Sequence, residues 1–323
     1  MSGGGEFDLI QRIQARAAAR PDVILGIGDD AAIVQVPPGH ELVISTDTLI
    51  AGVHFPAETS AADIGWKALA VNLSDLAAMG AQPAWISLAL TLPAADSDWL
   101  DGFLDGFYEL ADQHGVALVG GDTTRGPLSI SITAHGLLPA ATALRRDGAS
   151  IGDDIWVTGT LGDAAGALRQ WRGQGLQSAK LRYRLDRPTP RIAAGIALRG
   201  LASAAIDVSD GLVADLGHVL RRSSRSAEID LGRLPTSRTL AEHFPLEAER
   251  WRLQLAGGDD YELCFTAAPA RALAIEQALA ACDTAATVIG RVDAGSDIRL
   301  RTPEDEPFAL EAGGFEHFAG RLQ

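Results

Sequence analysis

Lysine is nearly missing: the 323 residues contain two, Lys67 and Lys180. A P-loop requires Gly-Lys-Ser/Thr, but Lys67 follows Trp66 and Lys180 follows Ala179. That phosphate cradle is therefore excluded, as is the Val-Ala-Ile-Lys strand of protein kinases. Cysteine is as scarce, and Cys264 and Cys282 are too few for a disulfide framework. The first residues, Met-Ser-Gly-Gly-Gly-Glu-Phe, lack the basic start and apolar core of a signal peptide, and the expected location is a reducing cytoplasm. No apolar run reaches the roughly 18 residues of a membrane span, the longest being broken by Asn72, Asp75, Gln82 and Pro83. Positive charge is also short: 27 Lys plus Arg against 42 Asp plus Glu give −15, which argues against nucleic acid or an acidic membrane as partner.

What is present is a chain with 47% hydrophobic and 21% charged residues, enough for a substantial core and, by length, about two domains. Phe7, Leu9, Ile10 and Ile13 are spaced for one face of a first helix. A strand over 42–47, a helix over 61–79 with Leu69, Leu73 and Leu76 on one face, a strand over 84–92 and a helix over 97–113 follow. Short strands at 116–119 and 128–138 complete the first half. A second half opens near Gly152 with a strand over 155–158 and a helix starting near Gly162, which predicts domains over 1–145 and 146–323. Gly173, Gly175 and Pro188 mark 173–190 as a mobile loop. No repeat of 20 to 50 residues is visible, although Asn72-Leu-Ser-Asp75 echoes Asp207-Val-Ser-Asp210.

The acids stand in unusual surroundings. Asp75 is the only charged residue between Ala68 and Ala95, Asp47 between Leu42 and Ala57, and Asp122 between Gly115 and Thr124. An ionised carboxylate in a segment that reads as buried is costly without a cation or several donors. The neighbours are small or oxygen-bearing: Gly28-Asp-Asp30, Ser45-Thr-Asp47, Ser74-Asp75, Gly120-Gly-Asp122 and Asp207-Val-Ser-Asp210-Gly211. Each alone reads as a turn or a helix cap; together these hard oxygen donors suit Mg²⁺ completed by substrate phosphates, and no His/Cys cluster suits zinc. Gly26-Ile-Gly28, Gly120-Gly121, Gly159-Thr-Leu-Gly162 and Gly257-Gly258 permit close backbone approach to phosphate, and the helix after Gly162 offers its N-terminus to an anion. With lysines absent from such contexts, metals and arginines must neutralise phosphate, and Arg146 is a candidate unless it is simply a solvated surface group.

Taken together, these motifs resemble the thiamine-monophosphate kinases, of the superfamily that includes aminoimidazole ribonucleotide synthetase and selenophosphate synthetase. The resemblance rests on Gly26-Ile-Gly-Asp-Asp-Ala-Ala32, Ser45-Thr-Asp-Thr48, Gly52-Val-His-Phe55, Gly65 to Gly80, Gly120-Gly-Asp-Thr-Thr-Arg-Gly126, Asp207-Val-Ser-Asp-Gly211, Gly257-Gly-Asp-Asp-Tyr-Glu-Leu263 and Gly314-Phe-Glu-His-Phe318, in order along nearly the whole chain. It implies an α/β (α+β) fold in two domains. The N-terminal one would form a dimeric β-barrel with its partner, and the C-terminal one would be a sandwich-like α/β domain, with ATP and several Mg²⁺ ions between the two.

By the same resemblance Asp30, Ser45, Thr46, Asp47, Asp75, Asp122, Asp207 and Asp210 match metal ligands. Gly121, Asp122, Arg146 and Ser209 match ATP contacts, and His54, Asp259 and Phe315 match contacts to thiamine phosphate. The usual Gly-Glu-Asp-Tyr-Glu reads Gly258-Asp-Asp-Tyr-Glu262, one methylene shorter at its first acid. Read without the resemblance, His54 is a strand-end histidine, Asp259 a turn residue and Phe315 a packing aromatic. The implied reaction is direct phosphoryl transfer from ATP to thiamine phosphate in a cytoplasmic homodimer, with no acid–base or nucleophilic residue. Another ATP-dependent enzyme of the superfamily, an amidine-forming ligase or a selenophosphate synthetase, and a metal- and nucleotide-binding regulator without turnover stay open as alternatives. The N-terminal Cys and nearby Lys on which the selenophosphate branch commonly relies are absent.

Overall fold

A computed structural model describes residues 5–173 and 177–310 of the chain. The chain divides into two units: residues 1–76 with 81–141, and residues 77–80 with 142–323.

The first unit runs through α1 (Glu6–Arg16), β1 (Val23–Leu25), β2 (Ile33–Val34), β3 (His40–Ile50), α2 (Ala61–Ala78), β4 (Gln82–Leu92), α3 (Ser97–His114), β5 (Ala117–Arg125) and β6 (Ser129–Pro139). Helix α2, whose last residues fall in the second unit, forms because Leu69, Leu73 and Leu76 recur at helical spacing, and all three are fully buried. Each contributes about 2 kcal/mol of burial. Gly65 of α2 and Gly106 of α3 let the two backbones touch: a Cβ at Gly106 would lie 1.8 Å from the Ala62 carbonyl oxygen.

Four strands form a sheet in the order β3-β6-β4-β5, with β4 and β5 parallel and the other pairs antiparallel. The alternation of buried Ile130, Ile132 and Ala134 with half-buried Ser131 and Thr133 gives the sheet one packed face and one hydroxyl-bearing face. On that second face β3 exposes Leu42, Ile44 and Ile50 beside Thr46 and Thr48. The sheet is open, so a single chain closes no barrel among the described residues.

The second unit comprises β7 (Asp154–Thr158), α4 (Asp163–Arg172), α5 (Ala179–Asp186), α6 (Ile192–Ala197), β8 (Ala204–Asp207), α7 (Leu212–Ser223), β9 (Ser226–Asp230), α8 (Arg238–His243), α9 (Glu247–Ala256), β10 (Leu263–Ala267), α10 (Ala272–Ala280), β11 (Ala286–Asp293) and β12 (Ile298–Arg301). Its six strands lie in the order β12-β9-β11-β7-β10-β8, mostly antiparallel, over a core that includes Ile155, Val157, Ile206, Leu216, Val219 and Ile289.

Within the stretch expected to be a mobile loop stands α5. Ser178 caps it by accepting from the Leu181 N–H, Leu181 and Leu185 are buried one turn apart, and Arg182 pairs with Asp186 at 2.5 Å. The flanking glycines and Pro188 hid these short-range helix signals. No described helix is long and apolar enough to cross a membrane.

Candidate functional site

In the first unit the candidate residues gather where β3 meets α2. Strand alternation turns Ser45 and Asp47 toward α2, and helical spacing brings Asn72 and Asp75 up to meet them. The Ser45 hydroxyl donates to the Asp75 carboxylate. The Asn72 side chain accepts from the Asp47 N–H at 3.1 Å and donates to the Ala68 carbonyl of its own helix at 3.0 Å. This fully buried amide clamps strand to helix and fixes the backbone at Asp47. Thr46 points to the other face, where its hydroxyl meets that of Thr133 at 3.0 Å.

Not all the predicted acids join this cluster. Asp122 on β5 shares a row with Ala89, Ser131 and Thr48, which sets it on the face opposite Asp47 and three strand steps away, roughly 14 Å. Gly121 precedes it with φ +154°, exposed at the sheet edge. Asp30 sits in the exposed turn between β1 and β2, its N–H bound to Asp29 at 2.8 Å. Among the described residues no three His, Cys, Asp or Glu side chains converge into a ready cation cage. The donor set still fits Mg²⁺ in kind. All its ligating atoms are hard oxygens, Asp75 and Ser45 already meet, and Mg²⁺ takes one or two carboxylates plus water and phosphate rather than a full protein cage.

His54 lies in the turn after β3. Its Nδ1 accepts from the Ile50 N–H at 2.9 Å, so the ring proton of the neutral form stays on Nε2. Lys67, 1% exposed, donates from Nζ to the His54 carbonyl at 3.2 Å and ties that turn to α2. The sequence held a signal for this role, since Lys67 is the only positive charge beside a long uncharged stretch.

In the second unit two loops are laced together. The Val208 carbonyl accepts from the Tyr261 N–H and the Ser209 carbonyl from the Asp259 N–H, both at 2.8 Å, and the Val208 N–H donates to the Glu262 carbonyl at 2.8 Å. Glycine at 258 is obligatory for this approach, because a Cβ there would come within 2.3 Å of the Ser209 carbonyl oxygen. Asp259 and Tyr261 both adopt positive φ, +68° and +50°, a costly backbone that the lacing holds in place. The Tyr261 hydroxyl donates to the Asp259 carboxylate at 3.1 Å, which orients that shortened acid.

Beneath the loops lie acids that serve the fold. Glu262 is fully buried. Burial pushes its carboxyl up, but the Arg191 and Arg184 guanidiniums and the Thr158 hydroxyl outweigh this and hold it below the usual range. Asp260 accepts the Gly162 N–H on both oxygens, at 3.0 and 2.9 Å, and burial drives its carboxyl well above the usual range. At the N-terminus of α4, which the glycines offered to an anion, the Gly162 N–H is therefore taken by the protein's own acid.

The turn after β8 is held the same way. Asp215 of α7 accepts the N–H groups of Ser209, Asp210 and Gly211 on one oxygen at 3.0, 3.0 and 3.1 Å, and burial pushes this carboxyl up to about 7. Asp207 is buried, while Ser209 and Asp210 are half-buried. Arg146 is exposed and its carbonyl accepts from Ser223 at 3.1 Å. Burial, with the charges of Arg221 and Arg146, holds the His218 imidazole below its usual range against the pull of Asp210, so Arg146 and Asp210 share one neighbourhood. Phe315 lies outside the described residues.

Residues 28–138 match the family of AIR synthase related proteins in its N-terminal domain, and residues 150–302 match the C-terminal domain. The chain is 48% identical to the thiamine-monophosphate kinase of Escherichia coli (strain K12), over 98% of each chain. The crystal structure of thiamine-monophosphate kinase from Stenotrophomonas maltophilia K279a is 54% identical and superposes with a TM-score of 0.86, covering 90% of this chain and 95% of that one. AaThiL complexed with AMPPCP and TMP superposes with a TM-score of 0.77 at 31% identity, over 97% of each chain. With both domains matched and near-complete coverage of these relatives, the chain belongs to the thiamine-monophosphate kinase family of AIR synthase related proteins.

Proposed function

We propose that this chain transfers the γ-phosphoryl group of ATP directly to the phosphate of thiamine phosphate, giving thiamine diphosphate and ADP. The observation that carries this reading is the whole-chain likeness to thiamine-monophosphate kinases, among them a relative solved with AMPPCP and TMP. The chemistry asks little of acid–base groups. A phosphate monoester is already largely dianionic at neutral pH, so its attacking oxygen needs no base, and the task is to set two polyanions in line.

Asp30, Ser45, Thr46, Asp47, Asp75, Asp122, Asp207 and Asp210 are the proposed metal ligands, and bound Mg²⁺ would supply charge neutralisation between the phosphates. Their spread over separate strands, turns and helices suits several ions, each completed by phosphate and water, better than one cage. Gly121, Asp122, Arg146 and Ser209 are assigned to ATP. His54, its ring oriented by the Ile50 N–H, is assigned to the phosphate of the acceptor. Asp259, oriented by Tyr261, and Phe315 complete the acceptor contacts, the aromatic ring facing the cationic thiazolium or stacking on the pyrimidine.

The working form is a homodimer. The face bearing exposed Leu42, Ile44 and Ile50 is the surface that a second copy covers, the two open sheets closing into a barrel. ADP release is the test of the reaction, with thiamine phosphate, thiamine and formylglycinamidine ribonucleotide compared as acceptors in Mg²⁺. Release with thiamine phosphate is expected; a signal only with the ribonucleotide overturns the reading.

A further inference from the structure

Asp215 has no place in the reaction just described, yet it makes three hydrogen bonds to the Asp207–Gly211 turn. It is 3% exposed and one turn into α7, and its Oδ2 accepts the three successive N–H groups of Ser209, Asp210 and Gly211. Three converging N–H groups at the start of a helix form an anion cradle, the usual seat for a phosphate. Here a carboxylate of the chain fills it. The turn is therefore fixed from both sides, its N–H groups by Asp215 and its carbonyls by the N–H groups of Asp259 and Tyr261. At α4 an internal acid also meets the helix start, Asp260 accepting the single Gly162 N–H. With its three N–H groups taken by Asp215, the turn withholds these backbone donors from a nucleotide.

We propose that Asp215 is the positioning residue of this turn: by occupying its three N–H groups it sets the stance of Ser209 and Asp210 and so governs the affinity for Mg·ATP. The proposal rests on the assignment of Ser209 to ATP and Asp210 to metal. It concerns geometry rather than charge, so the conservative variant is Asp215→Asn, whose amide oxygen occupies the same point. Asp215→Glu keeps the charge but carries one more methylene into a buried, filled space.

Mg·ATP binding is measured calorimetrically without acceptor, so the result does not depend on which acceptor the enzyme takes. Asp215→Ala is expected to weaken binding by about 30-fold, through the loss of an acceptor shared by three N–H groups, while Asp215→Asn stays within about 5-fold of the parent. In turnover, KM for ATP rises with Asp215→Ala while KM for thiamine phosphate stays within about 3-fold, a split that general loosening of the fold would not produce. If Asp215→Ala does not fold, Asp215→Asn against Asp215→Glu decides, with Asn the tighter binder. Parental Mg·ATP affinity in Asp215→Ala, or Asp215→Glu binding better than Asp215→Asn, overturns the proposal.

Discussion

Asn72-Leu-Ser-Asp75 and Asp207-Val-Ser-Asp210 end in the same two letters and share an apolar second position, but the backbone treats them differently. The first lies inside the 18-residue helix α2; the second leaves the end of β8 and forms the turn before α7. In the helix the backbone N–H groups are already spent on helical bonds, so the acid is tuned by side chains from a neighbouring strand: Ser45 donates to Asp75, and Asn72 clamps Asp47. In the turn the N–H groups are free to be gathered, and a buried carboxylate gathers three of them. An acid can thus be held ready by two devices, and the sequence echo is no guide to which one is used.

Five substitutions break or sharpen this contrast. The largest effect is expected at the acids themselves. Asp75→Asn and Asp210→Asn should each lower kcat for ADP release by about 10²-fold or more while the melting temperature stays near that of the parent. Near-normal turnover of both variants at saturating Mg²⁺ would contradict the metal assignment. Next is Lys67→Met, which keeps a long buried side chain but removes the donor to the His54 carbonyl. It should raise KM for thiamine phosphate roughly 10-fold and leave KM for ATP alone, because the turn it frees carries only an acceptor contact.

Asn72→Ala tests the helical device by stability. It removes the amide partner of the Asp47 N–H, and losing such a hydrogen bond costs about 0.5–1.5 kcal/mol. Urea denaturation should show that loss, and an unchanged midpoint would mean the clamp contributes nothing. The smallest effect is expected at Asp260, behind the second loop. Burial raises its carboxyl well above the usual range, so the folded chain keeps a proton that the unfolded chain releases from about pH 3.9 upward. Its contribution to stability is full below that pH and falls as the pH rises toward the raised folded value. Asp260→Asn keeps a neutral acceptor for the Gly162 N–H and should flatten the decline of stability as the pH rises above about 3.9. An unaltered slope would show that Asp260 is ionised in the fold.

Much of the scaffold is legible before any coordinates. Apolar periodicity marks α2, and strand alternation marks β3, β4 and β6. Asp47, Asp75 and Asp122 stand out because each is alone in an apolar segment. What the sequence hides is who holds them. Asp215 reads as an ordinary acid in the first turn of an amphipathic helix, a place where the helix dipole favours any carboxylate. Its three backbone partners emerge only when the chain doubles back. Asn72 reads as an interruption of an apolar face, and its partner at Asp47 is 25 residues away. Helix α5 escapes for another reason: bracketing Gly and Pro outweigh the Ser178 cap in a local reading. Asp259 and Tyr261 show the limit of motif reading, because their positive φ values depend on the loop laced against them.

The most direct test follows the phosphoryl group itself. With γ-labelled ATP, thiamine phosphate and Mg²⁺, the account predicts label in thiamine diphosphate in step with ADP release. ADP release with the label in inorganic phosphate alone, and none in thiamine diphosphate, would contradict it.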